Sequence, residues 1–190
     1  TALRRFFYTS KRKNKETSCK FESANFQIHK ALNRTQQERQ KNMLSLDKVF
    51  DAQTVLKSII RETNVVKTYG IAPDCDLYLK PENLQITGSF KVRGSAYKIS
   101  QLSAEEKAKG VIACSAGNHA QGVALAATKN GIKSLICLPD SAPISKVEAT
   151  KGYGAEVCLV EGVYDDAYNK AIELKEKEGY TFVHPFDDED

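Results

Sequence analysis

The sequence predicts an α/β fold, a parallel sheet with flanking helices, and three observations predict it. From Val111 onward, short apolar runs alternate with helical stretches: "VIAC", "HAQGVALAATKN", "SLICLP", "PISKVEATKG", "AEVCLV", "DDAYNKAIELKEKEG" and "TFVH". Strands and helices alternating at this spacing imply right-handed βαβ crossovers. The strand runs are apolar at successive positions, as expected of strands covered by helices on both faces. Glycines (Gly131, Gly152, Gly154, Gly179) punctuate the helical stretches, and glycine is the usual residue just past a helix end.

Ahead of this region, Val49, Ala52, Leu56 and Ile60 recur at helical spacing, with Ser45 as N-cap. "NVV" (Asn64 to Val66) and "DLYLK" (Asp76 to Lys80) read as short strands around the turn "YGIAPD". A helix is expected from near Ser89 to Gln101. In "SAEEKAKG", Ser103 and Glu106 are spaced as a capping box and Gly110 ends the helix.

Composition bounds the function. Hydrophobic residues make up 41% and charged residues 27%, and no apolar run is long enough for a membrane span. The net charge of +4 is unevenly spread. Residues 1–42 hold 11 Lys and Arg against 3 Asp and Glu, and the remainder holds 17 against 21. The main body is therefore acidic, which argues against a nucleic-acid-binding fold. Residues 1–42 read as a basic, disordered extension. A basic arm, an organelle transit peptide and a segment without function compete for them. Met43, the only methionine, stands at the onset of pattern and is taken as the natural start. The five cysteines are odd in number and form no C-x-x-C, and three lie in apolar strand runs. That suggests reduced, buried thiols and a cytoplasmic setting. A catalytic thiol at Cys114 competes with plain core packing, which free cysteines favour.

Two stretches carry chemistry. In an α/β sheet, ligands bind where strands end and helices begin. The first such junction is "CSAGNHAQG", Cys114 to Gly122. Ser115, Ala116 and Gly117 are small, so backbone N–H groups can approach a ligand, and the following helix start favours an anion. The bland alternative is a plain turn with Ser115 or Asn118 as N-cap. His119 is a first-turn histidine, either solvated or packed. The second stretch, "LQITGSFKVRGSAYK", sets Lys91 between Phe90 and Val92. It is either a surface lysine at a helix start or an amine that does chemistry.

Together, "PENLQITGSFKVRGS" and "CSAGNHAQGVA" resemble the pyridoxal-phosphate enzymes of the β-family, fold type II, and among them most nearly the threonine ammonia-lyases (threonine dehydratases). Serine dehydratase, serine racemase and threonine synthase share parts of the pattern. The likeness runs from about Leu46 to "HPFDD" and does not include residues 1–42.

The resemblance implies that residues 43–190 are the amino-terminal part of such a lyase, with a small α/β domain at about 88–190. It implies pyridoxal 5′-phosphate as cofactor, an amino-acid substrate, no nucleic-acid or membrane partner, and a homo-oligomer at full length. Lys91 would hold the cofactor as a Schiff base and then remove the substrate α-proton. Asn118 would hydrogen-bond the 3′-oxygen of the cofactor ring. The segment Ser115, Ala116, Gly117, Asn118, His119 would grip the substrate carboxylate. The implied reaction is α,β-elimination from L-threonine or L-serine to a 2-oxo acid and ammonia, in isoleucine biosynthesis or threonine catabolism. Racemases of the family tend to carry serine where this chain has Ala116, so elimination is expected over racemisation. The family's glycine-rich phosphate cup is absent from the sequence, as is the residue that meets the pyridine nitrogen. The chain is therefore expected to be a truncated form, inactive by itself. The competing expectation is a non-catalytic α/β module that binds a small anion or a partner.

Overall fold

Four parallel strands in the order β5-β4-β3-β6 organise the second half of the chain. They are β3 (Val111–Cys114), β4 (Ser134–Pro139), β5 (Glu156–Val160) and β6 (Thr181–Phe182). The computed structural model describes residues 45–71, 74–186 and 188, which fall in one compact unit, Leu44–Asp190. The expectations for residues 1–42 and for Met43 lie outside the described residues.

The register pairs Val111 with Ser134 and Thr181, and Leu135 with Glu156. The chain runs outward from β3 to β4 and β5, then returns to the far side of β3 with β6. The strand order thus reverses between β3 and β6, and in open α/β sheets the crevice for ligands lies at the carboxyl ends of such a pair.

The helices are α1 (Leu46–Leu56), α2 (Lys91–Gln101), α3 (Ala104–Lys109), α4 (Asn118–Lys129), α5 (Ile144–Gly152) and α6 (Tyr164–Glu178). Ser45 caps α1 by accepting from Lys48 N. Ser103 and Glu106 form the expected capping box of α3, and Gly110 closes it at φ +89°. Two small strands, β1 (Val66–Lys67) and β2 (Tyr78–Leu79), pair antiparallel, each shorter than the sequence suggests.

One face of the sheet packs on α4 and α5, with α2 stacked over α4, through Val111, Ala113, Ile136 and Leu138. The other packs on α6 through Ile112, Cys114 and Cys137. Burying a side chain such as Ile136 stabilises by about 1.5–3 kcal/mol. Helix α4 is buried from His119 to Ala127. Its small residues let it lie between α2 and the sheet.

One expectation needs correction. Not every strand is covered on both faces: β5 forms the sheet edge, with Glu156 and Leu159 exposed. The apolar residues of α1 are only partly buried, because α1 packs chiefly on α2 alone. Leu56 is covered, whereas Leu46, Val49 and Phe50 remain exposed. A cavity of about 660 Å³ lies along α1, lined by Val49, Phe50, Leu56, Ile60 and Tyr97 among others. No helix among the described residues is long and apolar enough to cross a membrane.

Candidate active site

Lys91 is positioned by the segment that precedes it. A 3-10 turn, Glu82–Leu84, is followed by Gln85, buried with both ends of its amide engaged. Its Nε2 donates to Arg61 O at 2.8 Å and its Oε1 accepts from Arg61 N at 2.7 Å, in the manner of a short strand pair. Gly88, at φ +67°, turns the chain, and Ser89 Oγ then accepts from Lys91 N at 3.2 Å.

Arg93, in the same first turn, donates twice to Glu82: Nε to Oε2 and Nη2 to Oε1, each at 2.8 Å. Thr63 Oγ1 adds a 2.7 Å bond to Glu82 Oε1, and Lys80 donates to the Thr63 carbonyl. The Arg93 hydrogen bonds, with Thr63 and against the cost of burial, hold the Glu82 carboxyl down at about 2. Two residues along a helix turn the side chain about 200°. The Arg93 clamp therefore fixes one side of α2 and leaves Lys91 on the other.

On that other side α2 meets α4. A Cβ placed on Gly122 would lie 3.1 Å from the Lys91 carbonyl carbon and oxygen and from Ser95 Oγ. Only glycine permits this approach without displacement. It brings the amino-terminal ends of α2 and α4 together over the crevice between β3 and β6.

The resulting cleft, about 190 Å³, is lined by Lys91, Ser95, Lys98, His119, His184 and Asp188 together with apolar neighbours. Lys91 Nζ donates to Pro185 O at 2.7 Å and lies 5.7 Å from the Phe90 ring centroid and 5.4 Å from that of Phe186. Lys98 pairs with Asp188 at 2.9 Å. His119 is buried, and burial holds its imidazole below the ordinary value despite a 3.0 Å bond to the Val183 carbonyl. A carbonyl can only accept, so the neutral ring carries its proton on Nε2 and leaves Nδ1 as acceptor.

The Cys114–Gly122 junction departs from a plain capped turn. Gly117 is the N-cap of α4, and no side chain caps the helix. Ser115 Oγ accepts from Gly117 N at 3.2 Å instead, and Ser115 N donates to Cys137 O. Asn118 is exposed, its Oδ1 accepting from Lys146 Nζ at 3.3 Å. The N–H groups of Asn118 and His119 open the helix, beyond reach of an intrahelical carbonyl. Of the residues singled out from sequence, Lys91 and His119 share the cleft. Ser115, Ala116, Gly117 and Asn118 lie beside it without lining it. Cys114 is fully buried, and burial pushes its thiol up to about 11, so packing accounts for it.

Sequence reasoning passed over Glu82, Gln85, Arg93, Gly122 and Lys146. The signal for Glu82 and Arg93 was present: a carboxylate and a guanidinium flanking the one lysine set among small and apolar residues.

The family model for pyridoxal-phosphate dependent enzymes matches residues 56–190. An L-threonine ammonia-lyase of Thermotoga maritima is 47% identical over 148 residues, which is 77% of this chain and 37% of that protein. Among solved structures, the processed form of threonine deaminase isoform 2 from Solanum lycopersicum superposes with a TM-score of 0.71 at 35% identity, covering 76% of this chain and 40% of that one. Maize serine racemase superposes with a TM-score of 0.70 at 34% identity, covering 74% and 44%. The chain thus spans about two fifths of the length of the curated relatives it matches.

Proposed function

Because the chain belongs to the family of pyridoxal-phosphate dependent enzymes, we propose that it carries the amine-bearing and substrate-gripping part of an enzyme that deaminates L-threonine, and L-serine, by α,β-elimination. The products are a 2-oxo acid and ammonia. The single observation that carries this reading is the Lys91 amine, set in a cleft at the sheet's switch point beside the start of α4.

The residues present fit the aldehyde end of the cofactor. Among the described residues the cleft gathers two lysines against one carboxylate, Asp188, a balance that suits an anionic ligand. Ser95 Oγ is buried with no partner among the described residues, one turn along α2 from Lys91. At about 190 Å³ the cleft is smaller than the roughly 300 Å³ at which small-molecule sites begin. It takes part of the cofactor, and the phosphate calls for a cradle of backbone N–H groups from elsewhere in the protein.

Lys91 Nζ would hold the cofactor aldehyde and Asn118 its ring oxygen. Pyridoxal phosphate, when bound, supplies the electron sink for negative charge at the substrate α-carbon. To reach the aldehyde Lys91 Nζ must leave the Pro185 carbonyl, and once the substrate amine has displaced it the freed amine would serve as the base that takes the α-proton. The N–H groups at the start of α4, with Ser115 to His119, bind the substrate carboxylate. Phe90 and Phe186 flank the amine with their ring faces. Ala116 offers no hydroxyl to return a proton from the opposite face, which favours elimination. The TM-score to a serine racemase equals that to a threonine deaminase within 0.01, so racemisation is the second reading. Reduced thiols and amino-acid chemistry support a cytoplasmic enzyme of threonine metabolism, and membership of the family supports a homo-oligomer at full length.

The test has two readouts. Borohydride reduction of the chain with pyridoxal phosphate, followed by peptide mapping, should place the adduct on Lys91. An adduct on Lys80 or Lys98 would sink the assignment. The protein at the full length of its relatives should release 2-oxobutanoate from L-threonine, and Lys91→Ala should abolish that release. Serine racemisation with little oxo acid would instead favour the second reading.

A further inference from the structure

Three of the five cysteines stand in one row across the sheet. Cys114 of β3 is in register with Cys137 of β4, and Cys137 with Cys158 of β5. Residues in register on parallel strands project from the same face, and all three pack on the face covered by α6. We infer that Cys137 and Cys158 form a site of oxidative modification, closing to a cross-strand disulfide when a peroxide-class oxidant is present. The inference does not depend on the function proposed above.

Adjacent strands lie about 4.7–4.9 Å apart, inside the Cα separation of about 4.4–6.8 Å that a disulfide spans. Register and facing therefore meet the Cα requirement, and the Cβ separation of about 3.5–4.5 Å that a disulfide also needs is reached when the edge strand draws in by a few tenths of an ångström to about 1 Å. Two pairs satisfy it, and access decides between them. Cys114 and Cys137 are fully buried, and Cys114 Sγ lies against the Tyr164 carbonyl at 3.8 Å beneath α6. Cys158 is half-buried on the edge strand, so a small oxidant reaches it first.

Peroxide would transfer one oxygen to Cys158 Sγ, giving a sulfenic acid and water. Cys137 Sγ, losing its proton, would then attack that sulfur and expel hydroxide, and proton and hydroxide leave as a second water. Two thiols are oxidised and one peroxide is reduced. Burial, with Cys158 beside it, pushes the Cys137 thiol up to about 12. The closing step is therefore slow at pH 7 and accelerates as the pH rises, since the thiolate is the attacking form.

The experiment treats the dilute chain with hydrogen peroxide, blocks residual thiols with N-ethylmaleimide in denaturant, and maps tryptic peptides of the monomer with and without reduction. The expected product links residues 134–146 to residues 152–170, is reversed by dithiothreitol, and forms faster at pH 9 than at pH 7. In Cys158→Ser, checked for folding by circular dichroism, Cys137 should stay fully alkylatable. The inference is overturned if Cys158 accumulates as sulfinic or sulfonic acid with no linked peptide. It is equally overturned if Cys137 is still lost in Cys158→Ser, or if the linkage occurs only in covalent dimers.

Discussion

Replacing Glu82 by Gln removes the charge and one of the two acceptor oxygens that hold Arg93, and so loosens one side of the Lys91 turn. The two Arg93 bonds and the Thr63 bond are all 2.8 Å or shorter, and the Glu82 side chain is only 16% exposed. A carboxyl lowered from 4.5 to about 2 corresponds to roughly 3 kcal/mol at 1.36 kcal/mol per pH unit. Arg93 is about a third exposed, so solvent screening reduces this to about 2 kcal/mol. The sign follows from linkage: a depressed carboxyl contributes fully above its unfolded value and loses that contribution as the pH falls toward 2. At pH 7, Glu82→Gln should therefore unfold about 2 kcal/mol more easily in urea. The gap from wild type should narrow steadily between pH 5 and pH 2. A double-mutant cycle with Arg93→Met should return most of the loss as coupling. A gap below about 0.5 kcal/mol at pH 7, the scale of an ordinary surface change, or a gap constant down to pH 2, would refute the clamp.

Gly122→Ala should destabilise by about 1 kcal/mol net in urea unfolding and weaken borohydride trapping on Lys91. The gain in helix propensity, about 1 kcal/mol, is outweighed by a methyl 3.1 Å from the Lys91 backbone; a stabilised variant would mean that α2 yields. Ser103→Ala removes the acceptor for Glu106 N and should cost about 1 kcal/mol, as N-cap losses do, read by thermal unfolding. Ala116→Ser in the full-length enzyme should raise the ratio of serine racemisation to oxo-acid release, measured by chiral chromatography. The chain alone should show no measurable release of 2-oxobutanoate, because the residues it contributes line only about 190 Å³ around the amine.

Much of the fold was legible because its signals are local. The capping box at Ser103 and Glu106 and the stop at Gly110 need only neighbours in sequence to act. The apolar runs of β3 and β4 declare burial by composition. The exposed edge at β5 was only faintly marked, by the single charge Glu156 in "AEVCLV", and it is strand order that makes it an edge. The partial covering of α1 was hidden for the same reason: periodicity marks an apolar face and says nothing of what meets it. Lys91 stood out by its surroundings and by resemblance. Its supports did not, because Glu82 and Arg93 are 11 residues apart, and Gly122 acts on Lys91 only once two helices cross.

Those supports bear on how the amine is used. Lys91 Nζ spends a hydrogen bond on Pro185 O, whereas covalent chemistry needs the nitrogen lone pair directed at a ligand. Releasing the carbonyl costs about 0.5–1.5 kcal/mol, small beside the free energy of forming a bond to the amine. The carbonyl cannot follow freely. Its segment is tied on one side by His119 to Val183 O and on the other by Lys98 to Asp188. The backbone of Lys91 is likewise fixed, between the Arg93 clamp and Gly122. With both main chains held, the exchange falls to rotation of the lysine side chain alone. Shortening that side chain while keeping a cysteine at the position for aminoethylation tests the point: Lys91→Cys should lose borohydride trapping, and conversion to the thia-lysine should recover it. Failure of the aminoethylated protein to trap pyridoxal phosphate, with folding intact by circular dichroism, would show that the backbone must move as well.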